Sequence, residues 1–220
     1  MPHPRTLART AGALYFVTHV TSVAAVVLYG GSAFDADAQL AGRPSVLAAA
    51  LLEIVLALGI VGTAIALYPL LRSASPATAG GYLGLRTLEA TVVLIGVVAI
   101  LPAVARPATT AAPGLEPATI AGLHLLHDWT FLIGPGLVGP VHAILLAWTL
   151  LRRRQTPTVI PVLALVGAPL LLAVNLGVMF GLTTVQPVAA LPLFAWEISL
   201  ATYLIVKGLR ATPCAGSPAP

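Results

Sequence analysis

Long apolar runs separated by short polar joints dominate the chain, and each is long enough to cross a bilayer as a helix. The first covers residues 11–30, with Arg5 and Arg9 ahead of it. Positive charge before an apolar run also fits a signal peptide. This run outlasts the usual apolar region of about 7–15 residues, so it predicts an uncleaved first helix. A polar loop with Asp35, Asp37 and Arg43 leads to a second run over 45–71, closed by Arg72. The joint SASPATAGG is turn chemistry, and a third run over 82–105 ends at Arg106-Pro107. Beyond the loop ARPATTAAPGLEP the chain is apolar at 117–151, polar at RRRQTP, apolar at 158–182 and polar at TTVQP. A last apolar run at 188–206 precedes Lys207 and Arg210.

The stretch 117–151 decides the number of spans. As one straight helix its 35 residues would measure about 52 Å, against about 30 Å of hydrocarbon, so it cannot stand perpendicular to the membrane. Positive charge arbitrates, because cytoplasmic ends collect Lys and Arg. Six crossings with both termini cytoplasmic put nine basic residues inside (Arg5, Arg9, Arg72, Arg86, Arg152, Arg153, Arg154, Lys207, Arg210) and two outside (Arg43, Arg106). Seven crossings, with the N-terminus outside, give seven inside against four. The fold class is therefore all-α, an integral-membrane bundle of six helices, with seven as the alternative. Residues 117–133 become an interfacial or re-entrant helix, or the outer end of a strongly kinked one. Gly134-Pro135-Gly136 with Gly139-Pro140 supplies a break near 117–140. Irregular backbone at that depth is tolerated where protein or a water-filled cavity surrounds it, so the break points to an internal cavity.

Composition agrees with this pattern. Hydrophobic residues make up 58% of the chain and charged residues 8%, where a soluble domain carries about 25% charge. The mean hydropathy is +0.98. The net charge of +4 then reports topology in an inner (plasma) membrane and no nucleic-acid partner. One transmembrane domain is expected over 1–210, followed by a disordered Pro/Ala/Gly tail at 211–220 that holds the single cysteine, Cys214. Neither a disulfide scaffold nor a cysteine metal site is available. No solenoid period, phosphate loop, dinucleotide glycine motif, CxxC or HExxH occurs. Gly59, Gly62, Gly96 and Gly177 read as places where helices pack closely.

The candidate chemistry lies in polar residues within the apolar runs. Four of the seven acids, Glu53, Glu89, Asp128 and Glu197, sit there. A carboxylate at such a depth costs on the order of 3 kcal/mol, so each needs a partner, a proton or a cavity. Arg86 and Glu89 stand at i and i+3 and read as a structural ion pair. Glu53 has no basic residue close in sequence, and is protonated, paired across helices with a histidine, or lining a polar cavity. Glu197 follows Trp196 in the last run, where an unpaired carboxyl would be a proton donor. In LHLLHDWTFLIGPG, His124 shares a helix face with Asp128 and adjoins His127, so Asp128 can hold one imidazole in a fixed tautomer. The same residues also suit an interfacial helix showing a polar stripe to water. His19 and His142 lie near the middles of the first and fourth runs, as helix-to-helix hydrogen bonds or as site residues. Histidines with carboxylates from other helices could hold a metal, and His19 with His142 a haem. Aromatic residues are only 6% of the chain, and the expectation is no metal and no cofactor.

Four segments carry a resemblance: AGALYFVTHVTSVAA, RTLEA, LHDWTFLIGPGLVGPVHAILLAWTLLRRRQTP and PLFAWEISLATYLIVKG. Together, over most of the chain, they resemble the bacterial membrane family catalogued as domain of unknown function 4386. The resemblance implies a helical membrane fold, supplies no established activity, and carries Arg86, Glu89, Asp128, Glu197 and Lys207. In size, and in acids placed within helices beside Trp, the chain is also similar to small membrane terpene cyclases of meroterpenoid pathways. The matching positions are Glu53, Asp128-Trp129 and Trp196-Glu197. Such enzymes protonate an epoxide or alkene of a farnesylated substrate and shelter the cation with aromatic faces. They usually have seven spans and more aromatic residues than this chain.

The expected function is accordingly an integral-membrane enzyme for proton-initiated cyclisation or isomerisation of a prenylated, lipophilic small molecule. Asp128, oriented by His124 or His127, is the expected general acid. Glu197 and Glu53 complete the proton network, and Trp129, Trp196, His19 and His142 border the substrate. A proton-coupled small-molecule carrier, or a metal- or haem-binding membrane protein, is the alternative.

Overall fold

A computed structural model describes residues 3–30, 42–73, 75–104 and 115–210. The loop with Asp35 and Asp37, the loop with Arg106, and the tail with Cys214 lie outside the described residues. The helices are α1 (Pro4–Tyr29), α2 (Arg43–Arg72), α3 (Pro76–Val104), α4 (Pro117–Ile133), α5 (Gly139–Arg152), α6 (Val159–Met179) and α7 (Leu191–Val206). A π turn, Gly134–Val138, joins α4 to α5, and a 3-10 turn, Pro187–Ala190, leads into α7. Prolines open α1, α2 and α4, where the missing N–H would have had no partner. Gly30, at φ 89°, ends α1 in the left-handed conformation that glycine adopts at no steric cost.

Six helical spans among the described residues are long and apolar enough to cross a membrane, with Pro117–Arg152 counted as one, and no strand accompanies them. The protein is a multi-pass membrane protein. Large apolar side chains such as Val27, Leu58 and Val98 point outward, where lipid accommodates them. Small ones such as Ala11, Ala64, Ala143 and Ala201 fill the interior, so backbones approach closely.

Each span packs on the next along the chain, and α7 returns to α1, closing a ring of six. Both described chain ends lie on one face of the ring. There Arg9 Nε donates to Ile205 O at 3.2 Å, and Arg210 N donates to Gln155 O at 3.0 Å. On the opposite face Ser45 Oγ donates to Leu28 O at 2.8 Å. The α1–α7 seam is tightest near the terminal face, where a Cβ on Gly12 would lie 2.6 Å from Ala201 O.

The Gly-Pro segment interrupts α-helical geometry for one turn without turning the chain back. Pro135 and Pro140 have no N–H, so Phe131 O and Gly136 O lose the donors that sit four residues on in an α-helix. The backbone widens instead, and Gly139 N donates to Gly134 O in π geometry. Asn175 of α6 supplies the donor that Gly136 O lacks, at 2.9 Å. A Cβ on residue 136 would lie 2.8 Å from Asn175 Nδ2, so glycine is needed for this approach. Asn175→Leu leaves a buried carbonyl without a partner, and a loss of about 1–3 kcal/mol is expected. Thermal unfolding in detergent reads this as a lowered midpoint; an unchanged midpoint would show that the amide is dispensable.

Candidate functional site

On the axis of the ring lies a cavity of about 230 Å³ to which all six spans contribute. Its polar wall comes from His19 of α1, Arg86 and Glu89 of α3, His142 of α5 and Glu197 of α7. His19, Glu89, His142 and Glu197 each lie at least nine residues from either end of their spans, about 14 Å of helix, so the cavity sits at mid-depth. The π turn borders it through Pro135, and Gly139 follows on the same wall. Val23 and Phe194, on its rim, are 56% and 43% exposed, so the cavity opens sideways between α1 and α7. That opening lies away from the tight contact at Gly12.

At the opening, His19 Nε2 lies 3.1 Å from Glu197 Oε2. His19 Nδ1 lies 2.7 Å from Tyr15 O, which can only accept, so Nδ1 carries a hydrogen. Assigned from these partners, the tautomer leaves one proton between Nε2 and the carboxyl. Either Glu197 is protonated and donates to neutral His19, or His19 is cationic and donates to a carboxylate. The Phe194 ring, edge-on at 4.6 Å, holds the imidazole in this position.

Deeper in the wall, Arg86 Nη1 donates to Glu89 Oε2 at 3.0 Å, and His142 Nε2 lies 2.9 Å from the same oxygen. The Tyr15 and Tyr82 hydroxyls share a hydrogen bond of 2.8 Å, with the Tyr15 ring 5.6 Å from Arg86 Cζ. Arg86 is 3% exposed, and its Nε and Nη2 have no hydrogen-bond partner among the described residues.

A second polar cluster stands apart from the cavity, toward the opposite face. His127 Nε2 lies 3.0 Å from both oxygens of Glu53, which also accepts from Tyr29 Oη at 2.8 Å. Asp128 Oδ1 is 3.8 Å from His127 Nδ1 and 4.0 Å from His124 Nε2, beyond direct hydrogen-bond reach at either. His127 thus stands between Glu53 and Asp128, while Glu197 belongs to the axial cavity with His19. Trp196 is fully buried in the helix core, Trp129 is half-buried on α4, and neither lines the cavity. Arg86 and Glu89, read from sequence as a structural pair, do line it. Sequence reasoning missed Tyr15, Tyr29, Tyr82 and Asn175. A lone Asn in the run LLLAVNLGV and tyrosines within apolar spans were the available signals. No group of three or more His, Cys, Asp or Glu among the described residues is arranged to hold a metal ion.

No curated protein and no solved structure matches the chain, so the similarity to terpene cyclases has no support there. A family model does match, over residues 10–208, which take in the whole polar wall of the cavity. That model is described as a domain of unknown function (DUF4386), and this chain belongs to its family.

Proposed function

We propose that the protein is an integral-membrane enzyme that transfers a proton to a lipophilic, prenylated small molecule held in the axial cavity. One observation carries this reading: the His19–Glu197 pair, with Nε2 and Oε2 3.1 Å apart, stands on the wall of a cavity that opens sideways between α1 and α7. Glu197 takes the role of general acid, with His19 holding it and returning its proton. Asp128, the acid expected from sequence, stands off the cavity. Isomerisation suits the wall better than cyclisation, because among the described residues Phe194 is the single Phe, Tyr or Trp lining it, and a travelling cation needs more aromatic shelter than that. Membranes holding the protein, incubated with farnesylated acceptors, are expected to yield a product of unchanged mass. No conversion across several prenyl acceptors would end this reading.

Proton-coupled carriage is the second reading, favoured by two His–carboxylate contacts at mid-depth on a cavity reached by every span. Substrate uptake into proteoliposomes that follows an imposed proton gradient, without chemical change, would select it.

The charge distribution supports a plasma-membrane location with both chain ends cytoplasmic. Cys214, the single cysteine, follows α7 and makes this testable without mutation. A membrane-impermeant maleimide is expected to label the protein only after cells are permeabilised. Labelling of intact cells would invert the topology.

A further inference from the structure

Among the described residues the seams of the ring close around the axial cavity except in one place. Between α1 and α2 a Cβ on Gly59 would lie 2.9 Å from Thr18 Cγ2, and between α6 and α7 a Cβ on Gly167 would lie 2.8 Å from Leu193 N. Buried Ala57, Ile60, Ala90 and Val93 fill the space between α2 and α3. Glu89 and His142 join α3 to α5 at 2.9 Å, and Asn175 joins α6 to the π turn. The α1–α7 seam is shut in its terminal half, at Gly12 and at the bond from Arg9 to Ile205 O. Its other half holds the opening beside Val23 and Phe194.

Both ways along the axis are filled as well. On the terminal side the buried Tyr15 and Tyr82 bond hydroxyl to hydroxyl from α1 to α3, with Leu67, Leu146 and Leu200 in the same core. On the opposite side Tyr29 and His127 converge on Glu53, tying α1 and α4 to α2. Solutes in water on either face therefore have no route to Glu197 through the described residues, while a molecule in lipid has one. The opening lies to one side of the membrane's midplane. Val23 stands six residues before the end of α1 at Tyr29 and 19 after its start at Pro4. Phe194 stands seven residues after Pro187, where the last span begins, and 12 before Val206. The opening thus faces the leaflet away from the chain ends, about 9 Å inside the end of α1.

We propose that the cavity draws its ligand from the leaflet opposite the chain ends, and that this ligand is a lipid of that leaflet, which enters by its apolar chain and keeps its polar head at the surface. The inference rests on the reading of the cavity as a substrate site and names the class of substrate. A polar head carried to mid-depth loses its hydration, whereas Val23 and Phe194 offer a chain an apolar threshold. About 230 Å³ falls below the roughly 300–1,000 Å³ of sites that enclose a whole drug-sized ligand, so the cavity takes part of a chain and leaves the rest in lipid. With the chain ends in the cytoplasm, the source is the outer leaflet.

The test uses the full-length protein in preformed liposomes. Its probe is a lysophosphatidylcholine with a diazirine at the chain end, added from outside so that it stays in the outer leaflet of the vesicle. An impermeant maleimide at Cys214 separates molecules whose chain ends face out from those whose chain ends face in. Illumination is expected to label peptides holding His19 or Glu197 in molecules whose chain ends face in, and to spare them in the others. Val23→Trp, on the exposed rim, is expected to remove most of this labelling. Labelling at Val98, exposed six residues before the end of α3, should persist in that variant. Equal labelling of the wall from both leaflets, or more from the leaflet of the chain ends, would overturn the proposal. So would a wall left unlabelled while Val98 is labelled, or wall labelling that survives Val23→Trp. The two readings fail separately. A wall reached from the far leaflet with no product formed would leave this inference standing and remove the enzyme, whereas conversion of a prenyl acceptor with the wall reached from the other leaflet would do the reverse.

Discussion

Glu89→Leu is expected to destabilise the bundle by about 3–5 kcal/mol, because it leaves Arg86 as a buried cation without its carboxylate. Arg86 is 3% exposed and Glu89 5%, so little of either surface is left for water to solvate a stranded charge. Glu89 also accepts from His142, and the substitution strands two donors at once. The double variant Arg86→Met with Glu89→Leu removes the charge on both sides and is expected to recover most of the loss, since an apolar pair of similar volume carries no desolvation penalty. Unfolding in mixed detergent micelles, across wild type, both single variants and the double, measures the coupling directly. Equal midpoints for wild type and Glu89→Leu would mean that water reaches Arg86 and that the pair is dispensable.

Glu197→Gln is expected to reduce conversion of a prenylated substrate by about 10²–10⁴-fold while the protein stays folded. Glutamine keeps the size of the side chain and can still hydrogen-bond His19, whose Nδ1 contact to Tyr15 O is untouched. What disappears is the acidic proton. The expected signature is thus a loss in turnover with little change in unfolding midpoint. A larger loss in Asp128→Asn than in Glu197→Gln would return the acid role to α4 and its cluster with His127 and Glu53.

Much of the architecture was legible in the alternation of apolar runs and charged joints. Five of the runs correspond to the observed spans, and the charge count chose six crossings over seven for the stretch at 117–151. The Gly-Pro segment was legible as a departure from α-helical geometry, though its form was not. Whether a chain turns back or widens into a π turn depends on a donor from elsewhere, and Asn175 lies on another helix. The acids were legible because charge inside hydrocarbon is costly wherever it falls. Their grouping was legible in part: the i,i+3 pair of Arg86 with Glu89 was read, and a histidine across helices was one of the partners offered for Glu53, but which residues meet across helices depends on rotation of each helix about its axis. Neighbours in sequence therefore misled: Asp128 stands 4.0 Å from His124 Nε2 and 3.8 Å from His127 Nδ1, while His127 turns its Nε2 to Glu53 at 3.0 Å. Glu197 faces His19 on the first helix, while its neighbour Trp196 turns into the core.

Closure of the ring by its first and last helices sets an order of assembly. His19 is made 178 residues before Glu197, its partner across the seam. At about 5–20 residues per second the interval is on the order of ten to forty seconds. Through that time the imidazole has only Tyr15 O, on its own helix, to satisfy it. The wall that holds the proton is the last to be built, so a nascent chain stalled before α7 exposes a polar seam to the translocon, where membrane quality control can tell an unfinished copy from a finished one.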